Sequence, residues 1–128
     1  MKERISIFWF RRDLRLEDNT GLNAALDSSL PVIPIFIFDD EILNDLPVND
    51  ARVTFIYENL FKMDQELKKR GSSTKIYRGS PLTIWEELLK EHEVAAVYTN
   101  HDYEPYAISR DNAVENLLTQ NGVEFNTY

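Results

Sequence analysis

Short apolar runs alternate along this chain with segments of helical periodicity, and that alternation constrains the fold more than any other feature. Runs of strand length fall at Ile5–Phe10, Val32–Phe38, Thr74–Tyr77, Ala95–Thr99 and Val123–Asn126. A single helix between two successive strands implies parallel pairing, because the crossover must return the chain to the same edge. Right-handed crossovers with helices on both faces then give a Rossmann-like, doubly wound α/β domain. The expectation is a five-stranded parallel sheet in the order 3-2-1-4-5, formed by one domain over residues 1–128.

The helical segments carry their own punctuation. The first runs roughly from Asn19 to Ser28, with Leu22, Ala25 and Leu26 on one face and Asp18 or Asn19 as cap. The second is the clearest, with Val53, Ile56, Leu60, Met63 and Leu67 in a stripe, Asp50 at its start and Gly71 at its end. Ser80-Pro81 opens the third, with Leu82, Trp85, Leu88 and Leu89 facing inward. The fourth follows Glu104-Pro105, buries Ala107, Val114, Leu117 and Leu118, and ends at Asn121-Gly122. Pro34 disagrees with the pattern, since a proline inside a strand lacks the N–H of a ladder bond. A bulge is expected there, or a strand that effectively begins after it.

Composition narrows the function classes. Hydrophobic residues make up 43% of the chain and charged residues 28%, as in an ordinary globular protein. The absence of cysteine excludes disulfides and thiolate metal sites. Two histidines are too few for a histidine-rich metal site, and the His101-Asp102-Tyr103-Glu104 run is a weak candidate for a hard cation, so no metal is expected. No apolar run reaches the ~20 residues of a membrane span. Met1-Lys2-Glu3-Arg4 leads directly into a strand with no signal peptide, which points to the cytoplasm. A net charge of -8 disfavours binding nucleic acid over the whole surface, leaving only a local basic patch at Arg11, Arg12 and Arg15.

In open parallel sheets, ligands bind beyond the carboxyl ends of the strands, where the winding direction reverses. Three such ends carry unusual residues: Arg11-Arg12-Asp13 after the first strand, Phe36-Ile37-Phe38-Asp39 at the second, and Asn100-His101-Asp102-Tyr103-Glu104 after the fourth. In the expected order these ends are neighbours. They form a crevice with aromatic walls and carboxylates at its mouth, suited to a planar ligand with polar groups. Arg52 lies in the first turn of the second helix, where the helix dipole disfavours a cation, and residues that break a local rule often serve a site. The plain alternative is an ion pair with the acidic loop Asp39-Asp40-Glu41.

The commoner α/β motifs are absent. The glycines at 21, 71, 79 and 122 are too scattered for a phosphate cradle, and no G-x-S-x-G elbow exists. Asp102 and Glu104 could do acid–base work in principle, but no nucleophile accompanies them, so no catalytic residue is expected. Trp9 and Trp85 are most simply core residues.

These residues also carry a family resemblance. Phe8-Trp9-Phe10-Arg11-Arg12-Asp13-Leu14-Arg15-Leu16-Glu17-Asp18-Asn19 closely resembles the W-F-R-R-D-L-R-x-x-D-N opening of the DNA photolyase/cryptochrome family. Pro34-Ile35-Phe36-Ile37-Phe38-Asp39 is similar to that family's P-V-F-x-x-D. Asn100-His101-Asp102-Tyr103-Glu104-Pro105-Tyr106, followed by Arg110-Asp111, is similar to its N-x-D-x-E-P-Y…R-D. The resemblance implies the family's amino-terminal α/β domain, which often holds a light-harvesting antenna chromophore. It also implies a missing helical domain that binds FAD and damaged DNA and splits pyrimidine dimers by light-driven electron transfer.

In relatives with a deazaflavin or flavin antenna, the contacts resemble Phe36, Ile37, Phe38, Arg52, Asp102 and Glu104 here. Many methenyltetrahydrofolate-binding relatives carry an Asn-Glu pair where this chain has Tyr106-Ala107, so a deazaflavin or FMN is favoured over the folate. Arg11, Arg12, Asp13 and Arg15 are expected to make buried or interdomain ion pairs that fix the loop and dock the helical domain, with phosphate contact as the other reading. Three alternatives stand beside the photolyase antenna domain. They are a cryptochrome-type photoreceptor, a docking domain with an empty pocket, and an independent nucleotide-binding protein of similar topology. A domain cut from its partner should also expose apolar surface and self-associate to some extent.

Overall fold

The computed structural model describes residues 4–11, 16, 19–28, 30–39, 51–69, 73–101 and 105–128, and of residues 51–53 the backbone alone. The elements run β1 (Arg4–Phe10), α1 (Thr20–Asp27), β2 (Val32–Asp39), α2 (Ala51–Lys69), β3 (Lys75–Gly79), α3 (Pro81–Glu91), β4 (Glu93–Thr99), α4 (Pro105–Gln120) and β5 (Glu124–Thr127). All strand pairs are parallel and the order is β3-β2-β1-β4-β5, as the alternation of elements implied.

Successive side chains of a strand point to opposite faces, so the two faces of the sheet bury different halves of the same strands. Ile5, Ile7 and Trp9 of β1, with Ile35 and Ile37 of β2, pack under Ile84, Trp85 and Leu88 of α3 and Val114 and Leu118 of α4. Phe8 and Phe10 of β1, with Phe36 and Phe38 of β2, pack under Leu22 and Ala25 of α1 and Leu60, Met63 and Leu67 of α2. A sheet covered on both sides needs central strands that are apolar almost throughout, which is how β1 reads. Trp9 and Trp85 meet edge to face at 5.5 Å between ring centroids in the first of these layers.

The helix ends follow from local chemistry. Asn19 caps α1 with its side chain, accepting from Leu22 N–H at 3.0 Å. At the end of α4, Val123 N–H donates to Leu118 C=O and Gly122 N–H to Thr119 C=O, with Gly122 at φ 73°. That is a Schellman closure, in which glycine takes the left-handed conformation and Val123 packs back on the helix core. The caps read at Asp50 and Gly71 lie outside the described residues.

Three local expectations are corrected. Pro34 induces neither a bulge nor a late start: β2 runs through it from Val32, with Pro34 paired to Phe8. Ser6 N–H donates to Pro31 C=O, so by alternation the nitrogen of Pro34 points away from β1. Pairing with β3 begins only at Ile35, so no ladder bond is lost there. In α1 the buried stripe is Gly21, Leu22 and Ala25, and Leu26 lies a quarter turn off it, 61% exposed. In α3 the stripe is Pro81, Ile84, Trp85 and Leu88, which leaves Leu82 facing solvent.

Candidate functional site

The carboxyl ends of β1, β2 and β4 come together at the reversal of winding, and α4 supplies the side chains that join them. On α4, Ala107, Asp111, Val114 and Leu118 fall on one stripe, so the helix that buries its apolar face carries a carboxylate into the core with it. A buried carboxylate is costly unless paired. Its partner is Arg11, the residue that follows β1: the Nη1 of Arg11 pairs with Asp111 Oδ2. Arg11 Nε also donates to Thr99 Oγ1 at 2.9 Å, and the Thr99 hydroxyl donates to Trp9 C=O at 2.8 Å.

A second set of contacts reaches β2. The Tyr106 hydroxyl, in the first turn of α4, donates to Asp39 Oδ2 at 2.7 Å, and Arg110 Nη1 lies 3.8 Å from the same oxygen. Arg110 Nε donates to Asp111 Oδ1 at 3.3 Å. The guanidinium carbons of Arg11 and Arg110 sit 4.7 and 5.0 Å from the Trp9 ring centroid, and that of Arg110 lies 5.9 Å from the Tyr106 ring. The Nη2 atom of Arg110 is buried with no hydrogen-bond acceptor among the described residues, a cost that stacking on the two aromatic rings offsets in part. Among the described residues, two cations and two carboxylates thus form a cluster that ties three strand ends to one helix.

The aromatic side of the site lies on the opposite face. Phe36 and Phe38 meet edge to face at 4.8 Å, and Phe38 stacks on Tyr57 of α2 at 4.7 Å and 27°. The beginning of α2 therefore lies over the carboxyl end of β2. Tyr57 is 54% exposed, so its outer surface stays open while Phe38 beneath it is buried. Ile37 belongs to the other layer, against α3 and α4, so the three β2 candidates do not line one surface.

The start of α1 shows what this site is not built for. In dinucleotide-binding folds the free N–H groups of the first helix receive a phosphate. Here Gly21 N–H donates to Asn100 Oδ1 at 2.8 Å, and Asn100 Nδ2 donates to Asn19 Oδ1 at 2.7 Å. A Cβ on residue 21 would stand 2.8 Å from Asn100 Oδ1 and 3.1 Å from the Thr99 carbonyl carbon. The helix start is thus closed by the protein's own asparagines, against the reading of an independent nucleotide-binding protein.

Of the other candidates, Arg12, Asp13, Arg15, Asp102 and Glu104 lie outside the described residues. Arg52 lies in the first turn of α2, its side chain outside them too. The sequence reading does not reach Tyr57 and gives no individual role to Tyr106, Arg110 or Asp111; it holds Asp39 only as part of the strand end that opens the crevice. Asp111 had a signal of its own, being a carboxylate on an apolar stripe. Tyr57 had none, since it stands outside the buried stripe of α2. No described helix is long and apolar enough to cross a membrane.

A parallel sheet of this order, with its first helix closed by asparagines and with a charged cluster and stacked rings on opposite faces at the strand ends, defines a Rossmann-like, doubly wound α/β domain. Residues 6–128 match the family model for DNA photolyase, and the chain belongs to that family. It is 37% identical over 117 residues to a deoxyribodipyrimidine photo-lyase of Synechococcus, covering 91% of this chain and 24% of that protein. It is 35% identical over 119 residues to cryptochrome-2 of Gallus gallus, covering 93% of this chain and 20% of the other. Among solved structures, an archaeal photolyase from Sulfolobus tokodaii superposes with a TM-score of 0.84 at 40% identity, over 96% of this chain and 28% of that one. That protein was solved with two FAD molecules, with the implication of a novel light-harvesting cofactor. The chain therefore spans about a quarter of the length of these relatives.

Proposed function

We propose that this domain binds a light-harvesting chromophore within a longer deoxyribodipyrimidine photo-lyase, and that the chromophore is a deazaflavin or flavin rather than methenyltetrahydrofolate. The observation that carries the reading is the carboxyl end of β2. There Phe38 stacks on the half-exposed Tyr57, and the next residue, Asp39, holds a buried carboxylate beside Tyr106 and Arg110. Rings that can stack and a carboxylate that can accept fit a planar heterocycle bearing ring N–H groups. The second FAD in the archaeal relative supports a flavin-like occupant.

In this reading Phe36 and Phe38 line the ring, the backbone of Ile37 passes beside it, and Arg52, Asp102 and Glu104 meet its polar edges. When bound, the chromophore supplies near-ultraviolet or blue absorption and passes the excitation to FAD. These residues bind and orient it and keep water from its face. FAD, damaged DNA and dimer splitting belong to a helical domain against which this domain docks, with Arg12, Asp13 and Arg15 toward the boundary. No residue of this domain is catalytic. Similar identity to a cryptochrome and to a photo-lyase supports a second reading, a photoreceptor with the same antenna domain. Repair of a cyclobutane dimer by the full-length protein separates the two.

The test is a fluorescence titration of the domain with 8-hydroxy-5-deazaflavin, FMN and methenyltetrahydrofolate, repeated on Arg52→Ala and Asp102→Ala. Saturable binding of a deazaflavin or flavin, weakened by both substitutions, is expected. Tighter binding of the folate would overturn the chromophore assignment. Binding of none, by domain and full-length protein alike, would leave a docking domain.

A further inference from the structure

Among the described residues the outer face of α2 stays largely exposed, and of its rings only Tyr57 enters the proposed chromophore site, through its stacking with Phe38. Phe55, Tyr57 and Phe61 are 67%, 54% and 65% exposed on it, an unusual density of aromatic surface for one helix. Tyr57, Glu58, Phe61 and Lys62 line a shallow concavity of ≈ 400 Å³. Four neighbouring residues of one helix, with no convergent polar groups, do not make a small-molecule pocket. They make a surface.

We propose that this face pairs with the same face of a second copy of the chain, the two α2 helices crossing antiparallel about a two-fold axis. The argument is charge complementarity. Glu58 and Lys62 stand four residues apart on one side of the helix, and neither makes an ion pair among the described residues. A two-fold axis between them reverses the helix direction, so Glu58 of one copy meets Lys62 of the other, twice over. The helical turn places Tyr57 and Phe61 on one flank of this charged pair and Phe55 on the other. The reversed copy therefore sets aromatic against aromatic as well. A heterologous protein partner would need no such internal symmetry.

The area limits the strength. Aromatic side chains bury about 150–250 Å² each when fully covered. Three that are over half exposed, with their charged neighbours, give a few hundred Å² per copy, below the ~800 Å² per partner of a stable complex. The dimer is weak and reversible, populated at high protein concentration.

Sedimentation of the 128-residue chain from micromolar to millimolar concentration, at low salt, tests this. A reversible monomer–dimer equilibrium is expected for the wild type. Glu58→Lys and Lys62→Glu should each raise the dimer Kd by about tenfold or more, because like charges then face each other. An equimolar mixture of the two variants should form a heterodimer as readily as the wild type dimerises. Both positions are exposed, so circular dichroism should show unchanged folding. A wild type that stays monomeric throughout, a dimer indifferent to both reversals, or a mixture that fails to re-form it would overturn the proposal.

Discussion

Arg11 and Asp111 form an ion pair in the interior although 100 residues separate them in sequence, with side chains only 6% and 11% exposed. The pair joins the end of β1 to the middle of α4, and Thr99 and Trp9 complete it from β4 and β1. Its net worth against an apolar replacement is small, but removal of one partner leaves a desolvated charge behind.

Asp111→Asn should therefore destabilise the domain by about 3–5 kcal/mol, a large share of the roughly 5–15 kcal/mol that holds a domain folded. Arg11→Met combined with Asp111→Leu should recover part of that loss, the remainder being the Asp111 oxygen to which Arg110 Nε donates. Urea midpoints of the three proteins measure both effects. A single substitution costing under ~1 kcal/mol would show that the pair is hydrated.

Tyr106→Phe removes only the hydroxyl that Asp39 accepts at 2.7 Å. Hydrogen bonds to a charged group contribute about 1.5–3 kcal/mol, so a loss in that range is expected in denaturant unfolding. Under the proposed function, the same variant should weaken FMN binding in the titration, since Asp39 then loses a hydrogen bond that fixes its carboxylate.

Gly21→Ala drives a methyl group toward Asn100 Oδ1 and the Thr99 backbone. Overpacking of this kind costs about 1–3 kcal/mol. Adding Asn100→Ala should restore only part of the loss, because the carbonyl carbon 3.1 Å away cannot retreat as a side chain can. Thermal unfolding of the single and double variants decides it.

Among the described residues, Tyr77 is a group whose ionisation the fold changes. Burial first, and then the charges of Glu91 and Glu87, raise its pKa above the ordinary 10.0. The unfolded chain therefore loses this proton at a lower pH than the folded one. The stability contributed is present below pH 10.0 and is lost as pH rises from there through the folded pKa. Stability measured across that interval should fall, and fall less in Tyr77→Phe. Phenolate absorbance should show one tyrosine ionising late in the wild type and absent from the variant.

Much of this architecture is legible in the sequence because its causes are local. Proline after Ser80, glycine after Asn121 and the Leu60, Met63 and Leu67 stripe each act over a few residues, and all of them appear where expected. The effect of Pro34 is not legible in the sequence because it depends on the neighbour strand: β3 starts one residue too late to need its N–H. Asp111 was half legible, as a carboxylate on the apolar stripe of α4 that needs a cation, but nothing in the chain says which cation.

The sequence by itself determined the alternation of strands and helices, the parallel winding and the family, because side-chain periodicity and crossover geometry act at short range. Only the tertiary structure decided that Arg11 meets Asp111 and that Asp39 is held by Tyr106 and Arg110. Charges choose partners through space, over a few ångströms, and the winding of the sheet brings together strand ends that lie tens of residues apart along the chain.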